Sequence, residues 1–249
     1  MLKGKPIKIS VIGVGHVGSV VGFILARGGL ANEIVLCARD GHDEKAKDSQ
    51  RSAAMAALDI KHAICFTSHR LEVRAGTSED TRDSDILVMT ASERISQNLT
   101  SRRDPAWAVG NAKLVHQLVP RLAKLSPTAI FVNVTNPLDA ITSHMYKASG
   151  FDWHKVIGTG TLIDTARFRR RLSDEMDINA MDLRGYIIGE HGETQFAMLS
   201  NATVGGMPLS RLGKSQREKI AAAEEEAKHV GIEIFGVLGH TNLCGGDGG

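Results

Sequence analysis

The sequence predicts an α/β protein: a doubly wound parallel sheet, followed in the chain by a second, smaller α+β domain. Short runs rich in Ile and Val recur with helical text between them, a glycine-rich turn follows the first run and opens a helix, and 249 residues suit two domains. The boundary falls after Gly158, dividing the chain into residues 1–158 and 159–249. The strand runs are Ile7 to Ile12, Glu33 to Cys37, Asp85 to Met89, Ala129 to Val134 and Lys155 to Ile157. Near-continuous apolar runs of this kind suit strands covered on both faces. Between the second and third runs, Gly41 to Arg51 is polar and loop-like or helical, and Met55 with its neighbouring alanines reads as helix packing. From Ser215 to Phe235, Ile220, Ala223, Ala227, Val230 and Ile234 fall at helical spacing, with Glu224 and Lys228 on another face. Arg169-Arg170-Arg171 reads as a solvated helix face.

Composition removes several classes of function. With 30 Lys+Arg against 28 Asp+Glu the net charge is only +2, too small a field to grip a nucleic acid through its phosphates. Hydrophobic residues at 42% and charged residues at 23% supply a real core. Cys37, Cys65 and Cys244 have no C-x-x-C spacing, which fits neither a disulfide framework nor a structural zinc site, and no metal site is expected. The most apolar stretch, Val17 to Ala26, is shorter than the roughly 20 residues a bilayer needs, and the basic N-terminus runs straight into the first strand. A cytoplasmic protein with no membrane partner is expected.

Gly13-Val14-Gly15-His16-Val17-Gly18 lies directly after a strand and opens a helix. Glycines there allow a tight turn and let main-chain amides approach a pyrophosphate at the positive end of the helix, the Rossmann arrangement for dinucleotides. The acid expected about 20 residues on, for the ribose hydroxyls, is missing. Ala38 stands in its place and Arg39 follows. Arg39 suits a 2′-phosphate, as in NADP; alternatively Arg39 is solvated and Asp40 reaches the ribose, as for NAD.

Three later segments carry chemistry: Asn133 to Asp139, Gly158 to Arg167, and Gly189-Glu190-His191-Gly192-Glu193. Asp164 and Arg167, three apart, share a helix face. An aspartate on one imidazole nitrogen fixes the tautomer of His191 and prepares the other nitrogen for proton exchange with a hydroxyl or carbonyl oxygen. Arg167 offers a planar fork to a substrate carboxylate. With a nicotinamide cofactor, these parts make a dehydrogenase of 2-hydroxy acids.

From about residue 6 to residue 242 the chain resembles the L-lactate/malate dehydrogenase family: the Gly-rich turn, Leu58-Asp59-Ile60-Lys61-His62-Ala63, Thr135-Asn136-Pro137, Asp164-Thr165-Ala166-Arg167-Phe168-Arg169 and Gly189-Glu190-His191-Gly192 follow its patterns in order. The resemblance implies His191 as proton donor and acceptor, Asp164 as its partner, Arg167 as the carboxylate anchor and Asn136 beside the reacting carbonyl. It implies dinucleotide contacts from Gly13, Gly15, His16, Val17, Gly18, Ala38, Arg39, Thr90, Ala91, Asn111, Val134 and Asn136, with NAD or NADP as cofactor. It also implies a homodimer or homotetramer, with Asp59 and His62 near a subunit contact.

Within the resemblance, Thr90 to Arg103 corresponds to a lid over the substrate, carrying an arginine that polarises the carbonyl. Counting from Thr90 favours Arg102; counting back from Asn111 favours Arg103. Ile95 stands where malate enzymes carry an arginine, so it disfavours a second carboxylate and points to a larger apolar 2-oxo acid, resembling the L-2-hydroxyisocaproate dehydrogenase branch, or to lactate. Arg94 next door keeps malate open. Thr241 corresponds to a threonine near the substrate. Members of the family usually continue well beyond this point, so the second domain is expected to be incomplete, and an inactive nicotinamide-binding member stays open as an alternative. An NAD-dependent glycosidase sharing the first domain would leave Asp164, Arg167 and His191 unexplained.

Overall fold

The protein is described by a computed structural model covering residues 5–93 and 105–238. The chain divides into two compact units, with the break between Gly158 and Thr159.

In the first unit six strands form one parallel sheet: β1 (Lys8–Ile12), β2 (Glu33–Cys37), β3 (Glu72–Gly76), β4 (Ile86–Met89), β5 (Ile130–Asn133) and β6 (Val156–Gly158). Their order, β3-β2-β1-β4-β5-β6, reverses direction between β1 and β4, the crevice where doubly wound sheets bind ligands. The crossovers are α1 (His16–Arg27), α2 (Glu44–Ala63), α3 (Pro105–Leu125) and α4 (Leu138–Ser149). One apolar cluster gathers Ile9, Val11, Ile34 and Leu36 with Val17, Ala57 and Ile60 of α1 and α2. Another sets Leu87, Met89 and Phe131 against Val115 and Val119 of α3 and Ile141 and Met145 of α4.

One local reading needs correction. The strand runs omit β3, whose only buried residue is Val73. It is an edge strand, and its charges are paired rather than buried: Glu72 with Lys61 at 2.7 Å and Arg74 with Glu33 at 2.9 Å. The polar stretch from Gly41 is mostly helix, because the Asp43 carboxylate accepts the Ala46 N–H at 2.7 Å and so caps α2.

The second unit opens with α5 (Leu162–Met176) and ends with α6 (Lys214–Leu238). Between them lie a three-stranded sheet of β7 (Leu183–Arg184), β10 (Thr203–Val204) and β11 (Met207–Pro208), and a hairpin of β8 (Ile187–Ile188) and β9 (Phe196–Ala197). Phe168 and Leu172 of α5 meet Ile220, Ala223 and Ala227 of α6 in its core. On α6 the buried stripe continues to Gly231, and Lys228 pairs with Glu225 at 3.2 Å rather than with Glu224. The arginine run is not simply solvated: Arg169 Nε donates to the Gly185 carbonyl at 2.8 Å, Arg170 pairs with Asp174, and Arg171 bridges Glu175 and Glu226. Among the described residues no helix is long and apolar enough to cross a membrane.

Candidate functional site

In the first unit the candidate site is the turn between β1 and α1. Gly13 has φ +93°, and a Cβ there would sit 2.6 Å from the Ala91 Cα. A Cβ on Gly18 would lie 2.0 Å from the Gly13 carbonyl oxygen, so α1 packs on the turn at a distance only glycine permits. Thr90 at the end of β4 pins the turn, its hydroxyl donating to the Gly13 carbonyl at 2.7 Å and the Ile12 carbonyl at 3.0 Å. The Thr135 hydroxyl in turn holds the Ala91 carbonyl at 2.8 Å. At Gly15, the N-cap of α1, a Cβ would meet nothing within 4 Å. That open space over a helix N-terminus is a cradle a side chain would fill, and it fits a pyrophosphate. His16 is exposed beside it.

Four of the residues expected to contact the dinucleotide have buried side chains. Val17, Ala38 and Val134 turn their side chains into the interior, so only their main chain could face a ligand. Asn111 is fully buried; its Oδ1 accepts from the Ser92 hydroxyl and the Glu93 N–H, and its Nδ2 donates to the Asn136 carbonyl at 2.6 Å. It ties two loops together. Asn136 is half-buried before the cis bond to Pro137, with its Oδ1 accepting from the Leu138 N–H.

At the end of β2 Arg39 is exposed and its main chain is clamped, the N–H donating to Ser49 Oγ and the carbonyl accepting from Gln50 Nε2, each at 3.1 Å. Asp40 is committed elsewhere. Its Oδ1 accepts the Ser78 N–H at 2.9 Å, and its Oδ2 accepts the Ser78 hydroxyl at 2.6 Å and Arg121 Nη1 at 2.8 Å. Arg121 completes its fork on Glu79 at 2.9 Å, which holds the Glu79 carboxyl below the usual range. Burial pushes the nearby Cys37 thiol up to about 12, leaving no thiolate chemistry there at neutral pH.

In the second unit Asp164 sits in the first turn of α5, where the helix dipole favours a carboxylate, and its side chain is 2% exposed. Its Oδ2 lies 2.6 Å from His191 Nδ1, and its Oδ1 accepts Arg167 Nη1 at 3.2 Å. His191 stands in the β8–β9 loop, which begins at Gly189 with φ +98°. Thr165 Oγ1 accepts the Ile187 N–H at 3.0 Å and Thr161 Oγ1 donates to the Ile187 carbonyl at 2.6 Å, sewing β8 to α5. Those bonds set the distance between His191 and Asp164. The Arg167 guanidinium lies over Gly231 of α6, where a Cβ would stand 2.6 Å from Nη2.

Thus His191, Asp164 and Arg167 meet in one unit, while Gly13, Gly15, Gly18, Thr90, Ala91 and Asn136 cluster in the other. Arg94, Ile95, Arg102, Arg103 and Thr241 lie outside the described residues. The sequence reading missed the positioning contributions of Thr161, Ser78, Arg121 and Gly231. Only Thr161 carried a local signal, at the start of the turn that holds Asp164.

Comparison with known proteins agrees with this division. Residues 7–158 match the family description "lactate/malate dehydrogenase, NAD binding domain", and residues 161–234 match "lactate/malate dehydrogenase, alpha/beta C-terminal domain". An L-lactate dehydrogenase of Pseudothermotoga lettingae is 33% identical over 246 residues, covering 95% of this chain and 73% of that protein. One from Clostridium perfringens is 34% identical over 249 residues, covering 98% of this chain and 74% of its own. Among solved structures, the minor L-lactate dehydrogenase of Enterococcus mundtii superposes with a TM-score of 0.85 at 28% identity, over 96% of this chain and 74% of that one. A malate dehydrogenase from Salinibacter ruber gives 0.81 at 29%, over 97% and 73%. With a dinucleotide cradle in one unit and an Asp-paired histidine beside an arginine in the other, the chain belongs to the lactate/malate dehydrogenase family of oxidoreductases.

Proposed function

We propose that this chain interconverts L-2-hydroxy acids and 2-oxo acids with a nicotinamide dinucleotide, NAD or NADP, and prefers an apolar substrate side chain. The observation that carries the reading is the double use of Asp164, 2.6 Å from His191 Nδ1 and 3.2 Å from Arg167 Nη1. An ionised Asp164 can only accept, so Nδ1 carries the hydrogen and Nε2 becomes the nitrogen that gives a proton to the carbonyl oxygen or takes one from the hydroxyl. A protonated imidazole is stabilised by the same carboxylate. Arg167 takes the substrate carboxylate on its fork, exchanging its bond to Asp164 for a charge-assisted pair with the anion. Asn136 offers its amide to the carbonyl region, and Arg102 or Arg103 polarises the carbonyl. Gly13, Gly15 and Gly18 hold the pyrophosphate, and the bound dinucleotide supplies the hydride acceptor or donor.

The apolar preference rests on Ile95, which cannot pair a second carboxylate. A malate reading has two supports of its own, Arg94 one residue away and the Salinibacter ruber neighbour. The same reading carries a cytoplasmic homodimer or homotetramer, with Met55 and Leu58, exposed on α2, among the apolar residues such a contact would cover. The test follows nicotinamide absorbance with purified chain and 2-oxoisocaproate, pyruvate and oxaloacetate. Turnover of the first two above oxaloacetate is expected. Oxaloacetate as the fastest substrate replaces the apolar reading with malate. Dinucleotide binding with no turnover of any acid rejects the activity and leaves a nicotinamide-binding member of the family.

A further inference from the structure

The end of β2 contains an acid that the fold does not present to a ligand. A carboxylate that holds a ribose diol needs both of its oxygens as acceptors. Asp40 accepts from the Ser78 N–H on one oxygen and from the Ser78 hydroxyl and Arg121 on the other. Releasing it would leave Arg121 with Glu79 alone and the Ser78 main-chain donor without its acceptor. Ala38, at the position where the acid is expected, has no polar side chain and is buried, its N–H donating to the Gly76 carbonyl at 2.8 Å. Neither Ala38 nor Asp40 therefore offers an uncommitted carboxylate at this strand end. Arg39 differs on each count. Its main chain is fixed from α2 by Ser49 and Gln50, its side chain is exposed, and among the described residues nothing pairs with its guanidinium. The neighbouring negative charge of Asp40 is already answered by Arg121.

We infer that the chain is built for a 2′-phosphorylated dinucleotide: Arg39 takes the 2′-phosphate, and Ser78 and Arg121 act as specificity-positioning residues by sequestering Asp40. This rests on the reading of Gly13 to Gly18 as the pyrophosphate turn. Arg39 supplies the attraction, a planar cation for a multiply charged phosphate. Ser78 and Arg121 supply the other half of specificity: they withdraw the acid that would repel that phosphate and would otherwise welcome an unphosphorylated ribose.

The test is equilibrium binding of NADP+ and NAD+ to the 249-residue chain by calorimetry, without substrate. Wild type should bind NADP+ at least about tenfold more tightly, a margin that shrinks as salt is raised. Arg39→Gln should weaken NADP+ by about 10- to 100-fold, the range for one charge-assisted bond, and leave NAD+ nearly unchanged. Arg121→Met should narrow the gap from the other side, strengthening NAD+ as Asp40 is released. Ser78→Ala, a smaller change away from α3, makes the same prediction if Arg121→Met fails to fold. Equal affinities in wild type, or Arg39→Gln weakening both dinucleotides alike, overturns the inference while the turn keeps its role. Failure of either dinucleotide to bind removes the turn reading and the inference together. NAD+ affinity unmoved in both Arg121→Met and Ser78→Ala overturns the sequestering role.

Discussion

The two units build their recognition surfaces from different materials. In the first, the turn from Gly13 to Gly18 is shaped by what is missing: no Cβ fits against Ala91 or the Gly13 carbonyl, and the Thr90 hydroxyl holds the turn by its Ile12 and Gly13 carbonyls. In the second, the groups that matter are side chains on a short loop and a helix turn, fixed by one buried carboxylate with partners on both oxygens. A main-chain site is disrupted by added atoms, and a side-chain site by altered chemistry at constant volume. Substitutions should therefore separate the units cleanly.

The largest effect is expected in the second unit. His191→Asn keeps a polar group of similar size but loses the exchangeable proton, so turnover should fall by about 10²- to 10⁴-fold. Dinucleotide affinity should stay at the wild-type value, because the turn lies in the other unit. Steady-state rates and equilibrium binding on the same preparation check both halves, and a variant with normal turnover would remove His191 from the mechanism. Gly18→Ala should do the reverse. Its Cβ would fall 2.0 Å from the Gly13 carbonyl, costing about 1–3 kcal/mol in denaturant unfolding and weakening the dinucleotide. Gly15→Ala, with open space around its Cβ, should weaken the dinucleotide at a stability cost of about 1 kcal/mol or less. If the two alanines cost the same stability, the division between packing glycine and ligand-facing glycine is wrong.

What the sequence made legible follows the same division. Strands β1, β2, β4 and β5 announce themselves because interior parallel strands are apolar along their length, and the edge strand β6 is visible through Val156 and Ile157 although Ile157 is exposed, whereas β3, at the opposite edge, pairs Glu72 and Arg74 with charges on its neighbours and so reads as polar loop. Gly13 to Gly18 is visible because glycines at fixed offsets are a local signal. Asp164 with Arg167 is visible because three residues of helix bring them to one face. The fate of Asp40 was not legible, since its partner Arg121 lies 81 residues away and reaches it only once α3 packs beside the end of β2. Gly231 was read past as one more residue of an amphipathic helix, and nothing local marks it as facing a guanidinium.

Gly231 gives a sharper probe of the second unit. A buried helical glycine replaced by alanine should gain about 1 kcal/mol of helix propensity, but here the new methyl would stand 2.6 Å from Arg167 Nη2 and push the fork aside. Gly231→Ala should raise KM for the 2-oxo acid by about tenfold, the equivalent of a weakened carboxylate contact, with a smaller change in kcat. Gly236→Ala on the same helix has the same propensity gain and meets nothing within 4 Å, so its KM should not move. In an Arg167→Lys background the Gly231 effect should largely vanish if the two act through one contact. Equal KM values for the two alanine variants would mean that the notch in α6 is packing alone.

The smallest effect compares two carboxylates with different tasks. Asp164 fixes side chains, whereas Asp85 fixes main chain: its Oδ2 accepts the Lys8 N–H at the start of β1 at 2.9 Å and its Oδ1 pairs with Lys5 at 2.9 Å. The Lys8 N–H, first, and then the Lys5 ammonium hold the Asp85 carboxyl below the usual aspartate range. A folded pKa below the unfolded one means that the stabilisation is fully present above the ordinary aspartate pKa and is lost as pH falls through the folded value. Asp85→Asn retains a weaker acceptor and no charge, so at neutral pH it should cost about 1 kcal/mol in urea unfolding. Lys5 is mostly exposed, so its ion pair supplies little of that, and added salt should leave most of the difference in place. As pH falls through the folded value, below the ordinary aspartate pKa, the wild-type carboxyl protonates and the two proteins should converge. A gap that stays constant down to that acidity would assign the effect to shape at the strand end rather than to the charged acceptor. Turnover per folded molecule should be unchanged throughout, which sets Asp85 apart from Asp164, where the same Asp-to-Asn change should strike catalysis directly.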